Sequence, residues 1–99
     1  MPGVDQDRVS WSTRKANANA AKHGVSFLAA RSAPRDPSLR IWPDIDHQDV
    51  EDRFVMLGID LHGRLLFMVT QELPDGTIRL ISARRATKRE EDVYTTGAL

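Results

Sequence analysis

Five of the chain's fourteen Lys and Arg residues fall close together near its end: Arg79, Arg84, Arg85, Lys88 and Arg89. A guanidinium stays charged and can hold two oxygens of one phosphate, so such a cluster suits binding a phosphodiester and stabilising negative charge on it. A second group lies upstream. His47 and Glu51 are four residues apart, so a helical turn or a strand would place them on one side as a proton-transfer pair. Arg53, two residues beyond Glu51, would share its strand face. Each group also has a purely structural reading. Arg84 or Arg85 can pair with Glu90, Glu91 or an acidic residue of 44–52, and His47 can be tied to neighbouring carboxylates in a surface loop. Successive strand residues face opposite ways, so Arg84 and Arg85 need not meet the same ligand.

These side chains need elements to carry them. Residues 77–83, mostly apolar or β-branched after a turn at Pro74-Asp75-Gly76, read as a strand, and Thr87 can cap a helix running to about Tyr94. The basic cluster therefore sits at a strand-to-helix junction. Residues 53–60 and 64–71 read as two strands joined across Leu61-His62-Gly63, with centres apolar on both faces. Residues 39–42 suit another short strand, 43–49 an acidic loop, and 8–11 a brief strand near the start. Ser12 can cap an Ala-rich helix through about Lys22 that ends at Gly24, with Lys22 and His23 in the last turn, where the helix dipole favours cations. Ser26 can cap a second, shorter helix that Pro34 and Pro37 end. The expected architecture is α+β: an antiparallel sheet of about four strands, two N-terminal helices and a C-terminal helix. One domain would span 8–95, with 1–7 and 96–99 as flexible tails.

Composition narrows the function classes. The 99 residues are 40% hydrophobic and 28% charged, with no Cys, which removes disulfides, thiolate catalysis and Cys-based zinc sites and fits a reducing, cytoplasmic setting. No run approaches the roughly 20 apolar residues that span a bilayer, and no signal peptide is visible, so no membrane contact is expected. The formal net charge is zero, so nucleic-acid binding would need a local basic patch. His23, His47, His62 and the acids of 43–49 match no recognised ligand spacing, so no metal and no other cofactor is expected. Trp11, Trp42 and Tyr94 can stack on bases or anchor layers of a small core.

Four pieces in order along the chain resemble the BrnT family of bacterial toxins, a branch of the RelE-like ribonuclease fold. They are Trp11 with Lys15 and Asn19; Lys22-His23-Gly24-Val25-Ser26-Phe27; His47, Glu51, Arg53 and Gly58; and Ile81-Ser82-Ala83-Arg84-Arg85-Ala86-Thr87 with Arg89 and Glu90. Ser12 stands where the family usually has Asp, and Leu28 and Ala29 replace a usual acidic pair. The resemblance implies a toxin of a type II toxin–antitoxin system that cleaves RNA and slows translation. It also implies a BrnA-like ribbon–helix–helix antitoxin that would neutralise the toxin in a hetero-oligomer and reach operator DNA on its behalf.

Metal-independent RNA cleavage needs a 2′-hydroxyl activated, charge on phosphorus stabilised and the 5′-oxygen protonated. His47, Glu51, Arg53, Arg84 and Arg85 are the candidates for that chemistry, and Lys22, His23, Arg79, Lys88 and Arg89 for binding RNA. The rival expectation is a catalytically degenerate binding module that keeps only an antitoxin or self-association surface.

Overall fold

Ser12 opens the first helix by accepting the Lys15 N–H on its hydroxyl at 3.1 Å, and α1 runs Thr13–His23. Gly24 closes it in the left-handed region, at φ 69°, with its N–H on the Ala20 carbonyl. The structure, a computed structural model, describes residues 8–47, 49 and 51–98. The Ala-rich α1 has little apolar surface to bury, and Asn19 makes up the difference. Its Nδ2 donates to the carbonyls of Val25 at 2.9 Å and Ala83 at 2.8 Å, and its Oδ1 accepts the Ala83 N–H at 2.9 Å. One buried amide thus fixes the helix to the sheet. Ser26 caps the short α2, Phe27–Ala30, which buries Phe27 and Ala30, and Pro34 follows in a 3-10 turn at Ala33–Arg35.

The sheet has five strands: β1 Val9–Ser10, β2 Arg40–Pro43, β3 Arg53–Ile59, β4 Leu65–Glu72 and β5 Ile78–Arg85, in the order β1-β5-β4-β3-β2. All neighbours are antiparallel except β1, which lies parallel to β5 along the edge. That two-residue edge strand raises the expected count of about four to five. Under α1 and α2 lies the core, where Met56, Leu66, Met68, Leu80 and Ala83 meet Val25, Phe27, Ala30 and Ala33. Gly58 lets this layer close. A Cβ there would sit 2.5 Å from the Ala33 carbonyl oxygen and 2.9 Å from Leu39 Cδ1.

A bulge in β5 sets the faces of the basic residues. Val69 is opposite Ser82 and Thr70 opposite Leu80, so Ile81 is the extra residue. Leu80 and Ala83 both face the core despite their odd spacing, and Arg79 and Arg84 both fall on the opposite face.

The third helix, α3, Lys88–Thr96, covers part of that opposite face, beside Trp42, Leu57 and Phe67. Thr87 and Glu90 form a reciprocal capping box, and Gly97 ends the helix at φ 75°. Arg40 Nε donates to the Tyr94 carbonyl at 2.9 Å, and the Tyr94 hydroxyl donates to Asp36. None of the α3 side chains is buried, so these polar ties matter more than packing. The helix extends through Thr96 into the expected C-terminal tail, while the expected tail 1–7 lies outside the described residues. Among the described residues, no helix is long and apolar enough to cross a membrane.

Candidate functional site

On the sheet face that α3 half covers, the register lines up Arg53, Gln71 and Arg79 in one row across β3, β4 and β5. Strands about 4.8 Å apart put the two arginine backbones about 10 Å from each other. Arg79 is exposed, and among the described residues its side chain has no hydrogen-bond or ion-pair partner. Val55, Val69 and Ser82 form the next row, then Leu57, Phe67 and Arg84.

At the Arg53 end of the first row, the loop after β2 folds into a 3-10 turn, Ile45–His47. The Asp44 N–H donates to the Arg53 carbonyl at 3.0 Å, and the His47 N–H to the Asp44 carbonyl at 3.1 Å. Those two bonds hold the Asp44 side chain between the other two. His47 Nδ1 is 2.9 Å from Asp44 Oδ2, and Arg53 Nε is 3.4 Å from the same oxygen. The Asp44 side chain is 7% exposed and that of His47 50%. A buried carboxylate thus orients an exposed imidazole: an ionised carboxylate only accepts, so Nδ1 carries the proton, and Nε2, with no protein partner among the described residues, is the nitrogen left for a ligand. The Arg53 contact has the distance of an ion pair without hydrogen-bond geometry, so its buried Nε has no hydrogen-bond partner among the described residues. The far end of that guanidinium also makes no protein hydrogen bond among the described residues, which leaves it able to take a phosphate.

The other candidates are distributed differently. Arg84 lies on the same face as Arg79 but is engaged: Nη1 and Nη2 each reach a Glu90 oxygen at 2.8 Å, and the guanidinium lies over the Phe67 ring, 4.1 Å from its centre. Burial pushes the Glu90 carboxyl up, but the bonds from Arg84 and the Thr87 N–H outweigh it and hold the group below its ordinary range. The same bond to Glu90 raises Arg84 further. Arg85, opposite Leu66, belongs to the α1 side of the sheet, so the neighbouring arginines do not converge on one ligand. Lys22 and His23 end α1 on that far side as well. Lys88 and Arg89 are exposed in the first turn of α3, and Arg89 lines the cavity beneath it. Glu51 is exposed in the turn before β3; the carboxylate bonded to His47 is that of Asp44.

Asp44 and Gln71 are the site residues that the sequence reading did not single out. Asp44 had a signal in its spacing of three from His47 within an acidic loop, whereas Gln71 is placed only by the register of three strands. Among the described residues, no three His, Asp or Glu side chains are grouped as a metal site needs.

Comparison with known proteins supplies the remaining evidence. No curated protein matches the chain in sequence. In fold, the chain is similar to the 1.1 Å crystal structure of the Brucella abortus ribonuclease toxin BrnT, with a TM-score of 0.63 and 21% identity, over 81% of this chain and 96% of that one. The family model described as the ribonuclease toxin BrnT of type II toxin–antitoxin systems matches residues 11–90, which takes in His47, Asp44, the Arg53–Gln71–Arg79 row and Arg84 with Glu90. The chain therefore belongs to the BrnT family of ribonuclease toxins.

Proposed function

We propose that this chain cleaves RNA without a metal ion, at the end of the sheet face where Asp44, His47 and Arg53 meet. The observation that carries the reading is the buried carboxylate of Asp44, which orients the His47 ring and sits against Arg53. His47 Nε2 takes the proton of a 2′-hydroxyl, whose oxygen attacks the adjoining phosphorus. The bond to the 5′-oxygen breaks, that oxygen takes a proton from solvent, and a 2′,3′-cyclic phosphate remains. Arg53 meets the charge that develops on the phosphoryl oxygens, and Gln71 and Arg79 hold the neighbouring backbone. Lys88 and Arg89, at the start of α3, extend the cationic track.

An antitoxin seated on this face would block it by competition. A BrnA-like ribbon–helix–helix protein with an acidic surface fits the exposed arginines, and would link the pair to operator DNA. A second reading, a binding module without catalysis, draws on the bidentate Arg84–Glu90 pair, which withdraws one guanidinium from the face.

The deciding experiment is cleavage of a labelled RNA by the purified chain in excess chelator, beside folded His47→Gln and Arg53→Ala variants. Chelator-resistant cleavage that both variants lose is the expected result. Cleavage that survives in His47→Gln would overturn the site, and no cleavage of free RNA or of RNA on translating ribosomes would favour the binding module.

A further inference from the structure

Beneath α3 lies a cavity of about 310 Å³ on the same face of the sheet as Arg53. We infer that it receives a guanine base of the RNA, next to the phosphodiester that Arg53 holds; the inference rests on the cleavage reading above. Trp42, Leu57, Phe67 and Val93 form its walls, and Thr87 and Arg89 its rim. Flat aromatic and aliphatic walls suit a nucleobase, because stacking on such surfaces contributes about 1–3 kcal/mol per base whatever its identity. Position agrees with this. Trp42 is opposite Val55, two residues along β3 from Arg53, a separation of about 7 Å at the usual rise of a strand. A nucleotide whose phosphate meets Arg53 therefore has its base within reach of Trp42.

The rim decides which base. Three N–H groups already occupy the Glu90 carboxylate, two from Arg84 and one from Thr87. Arg89 has no hydrogen-bond or ion-pair partner among the described residues, so the unpaired charge at the rim is a donor, while the Glu90 charge is already matched by Arg84. Guanine presents two adjacent acceptors, O6 and N7, that one guanidinium meets in parallel. Adenine sets its exocyclic amine beside N7 and N1, where Arg89 offers only donors, and cytosine carries its own acceptor pair, O2 and N3, only on a single ring that covers less of the stacking walls. Uracil has a single acceptor on each side and gains one bond instead of two.

The test is a titration of the isotope-labelled native chain with GMP, AMP, CMP and UMP, followed by amide and indole NMR shifts. All four carry the same phosphate, so differences report on the base. GMP should shift the Trp42 indole, Thr87 and Val93 signals and bind about tenfold or more tightly than the other three, the discrimination expected of a bidentate arginine. Arg89→Ala should remove that preference while the walls still admit all four weakly. Equal shifts with every nucleotide, no shifts at these residues with GMP, or a preference that persists in Arg89→Ala would each overturn the inference. The readout is binding, so it stands apart from RNA cleavage. Guanine binding without cleavage would sink the catalytic reading alone, and cleavage without guanine binding would sink the pocket alone.

Discussion

The Arg84 guanidinium grips the Glu90 carboxylate through two parallel bonds of 2.8 Å, and so ties the last strand of the sheet to the first turn of α3. Because no α3 side chain is buried, this pair carries much of the helix's attachment. Glu90→Gln should lower stability by about 1 kcal/mol at neutral pH, the scale of a well-formed, partly exposed ion pair. The Glu90 carboxyl lies below its ordinary value of 4.5 when folded, so its contribution is full above that value and is lost as pH falls through the lower folded one. Denaturant melts of the two proteins should therefore differ at pH 7 and converge in strong acid. A gap that stays constant with pH would mean that the pair is not what Gln disrupts.

On the proposed cleavage reading, Asp44 would act on RNA only through His47, as a positioning residue. In Asp44→Asn the amide can turn its NH₂ toward Nδ1, which forces the ring into the other tautomer and protonates the nitrogen meant to accept a proton. Turnover should fall on the order of 10²- to 10⁴-fold with little change in KM, as loss of a positioned general base does. The ring tautomer, read from the nitrogen NMR shifts of His47, should switch in the same variant. An unaltered tautomer with unaltered turnover would show that the 2.9 Å contact does not orient the ring.

Asn19 belongs to the stretch that carried the family resemblance, yet its surroundings make it structural. Asn19→Ala would leave the Ala83 N–H without its side-chain acceptor and two carbonyls without their shared donor, all in the interior. A buried polar group left unpaired costs about 1–3 kcal/mol, and the three share one amide, so a loss of about 3 kcal/mol is expected. Urea unfolding measures it, and a loss under 1 kcal/mol, the low end of that range, would mean that α1 is held by other contacts.

Much of the frame was legible because it rests on local chemistry. The caps Ser12, Ser26 and Thr87 act within three residues of themselves, and all three open helices as their types predict. The strands expected over 53–60, 64–71 and 77–83 followed from apolar runs punctuated by glycine turns. The site was less legible because its geometry depends on register. Arg79 and Arg84 are five apart, which by alternation places them on opposite faces; the bulge at Ile81 brings them to one. Gln71 enters the site only as the middle of a row across three strands. Lys22 and His23 carry suitable charge, but the packing of α1 on β5 sends them to the far side of the sheet, a long-range outcome no local pattern encodes. The Arg84–Glu90 pair was readable as an alternative, since a strand end and a capped first turn lie close in any fold.

Gly58 offers the sharpest test of how the two layers close. It lies in β3 opposite Leu66, facing the turn that begins at Ala33. Its φ is not in the left-handed region, so the requirement is for space and not for backbone freedom. An added methyl would sit 2.5 Å from the Ala33 carbonyl oxygen and 3.2 Å from its carbon, both backbone atoms, so no side-chain rotation relieves it. Either the 3-10 turn or the strand must shift. Overpacking of this kind costs about 1–3 kcal/mol. At about 4–8 °C per kcal/mol for a domain of this size, Gly58→Ala should lower Tm by at least several degrees. The displaced turn carries Ser32, whose hydroxyl accepts the Leu61 N–H at 2.9 Å, and so the hairpin at Leu61-His62-Gly63 should lose amide protection in the same variant. His47 and Arg53 lie at the other end of β3, and their signals should stay in place in the folded protein. If Tm is unchanged, the layers are looser at this point than the backbone contact requires, and the glycine there has some other cause.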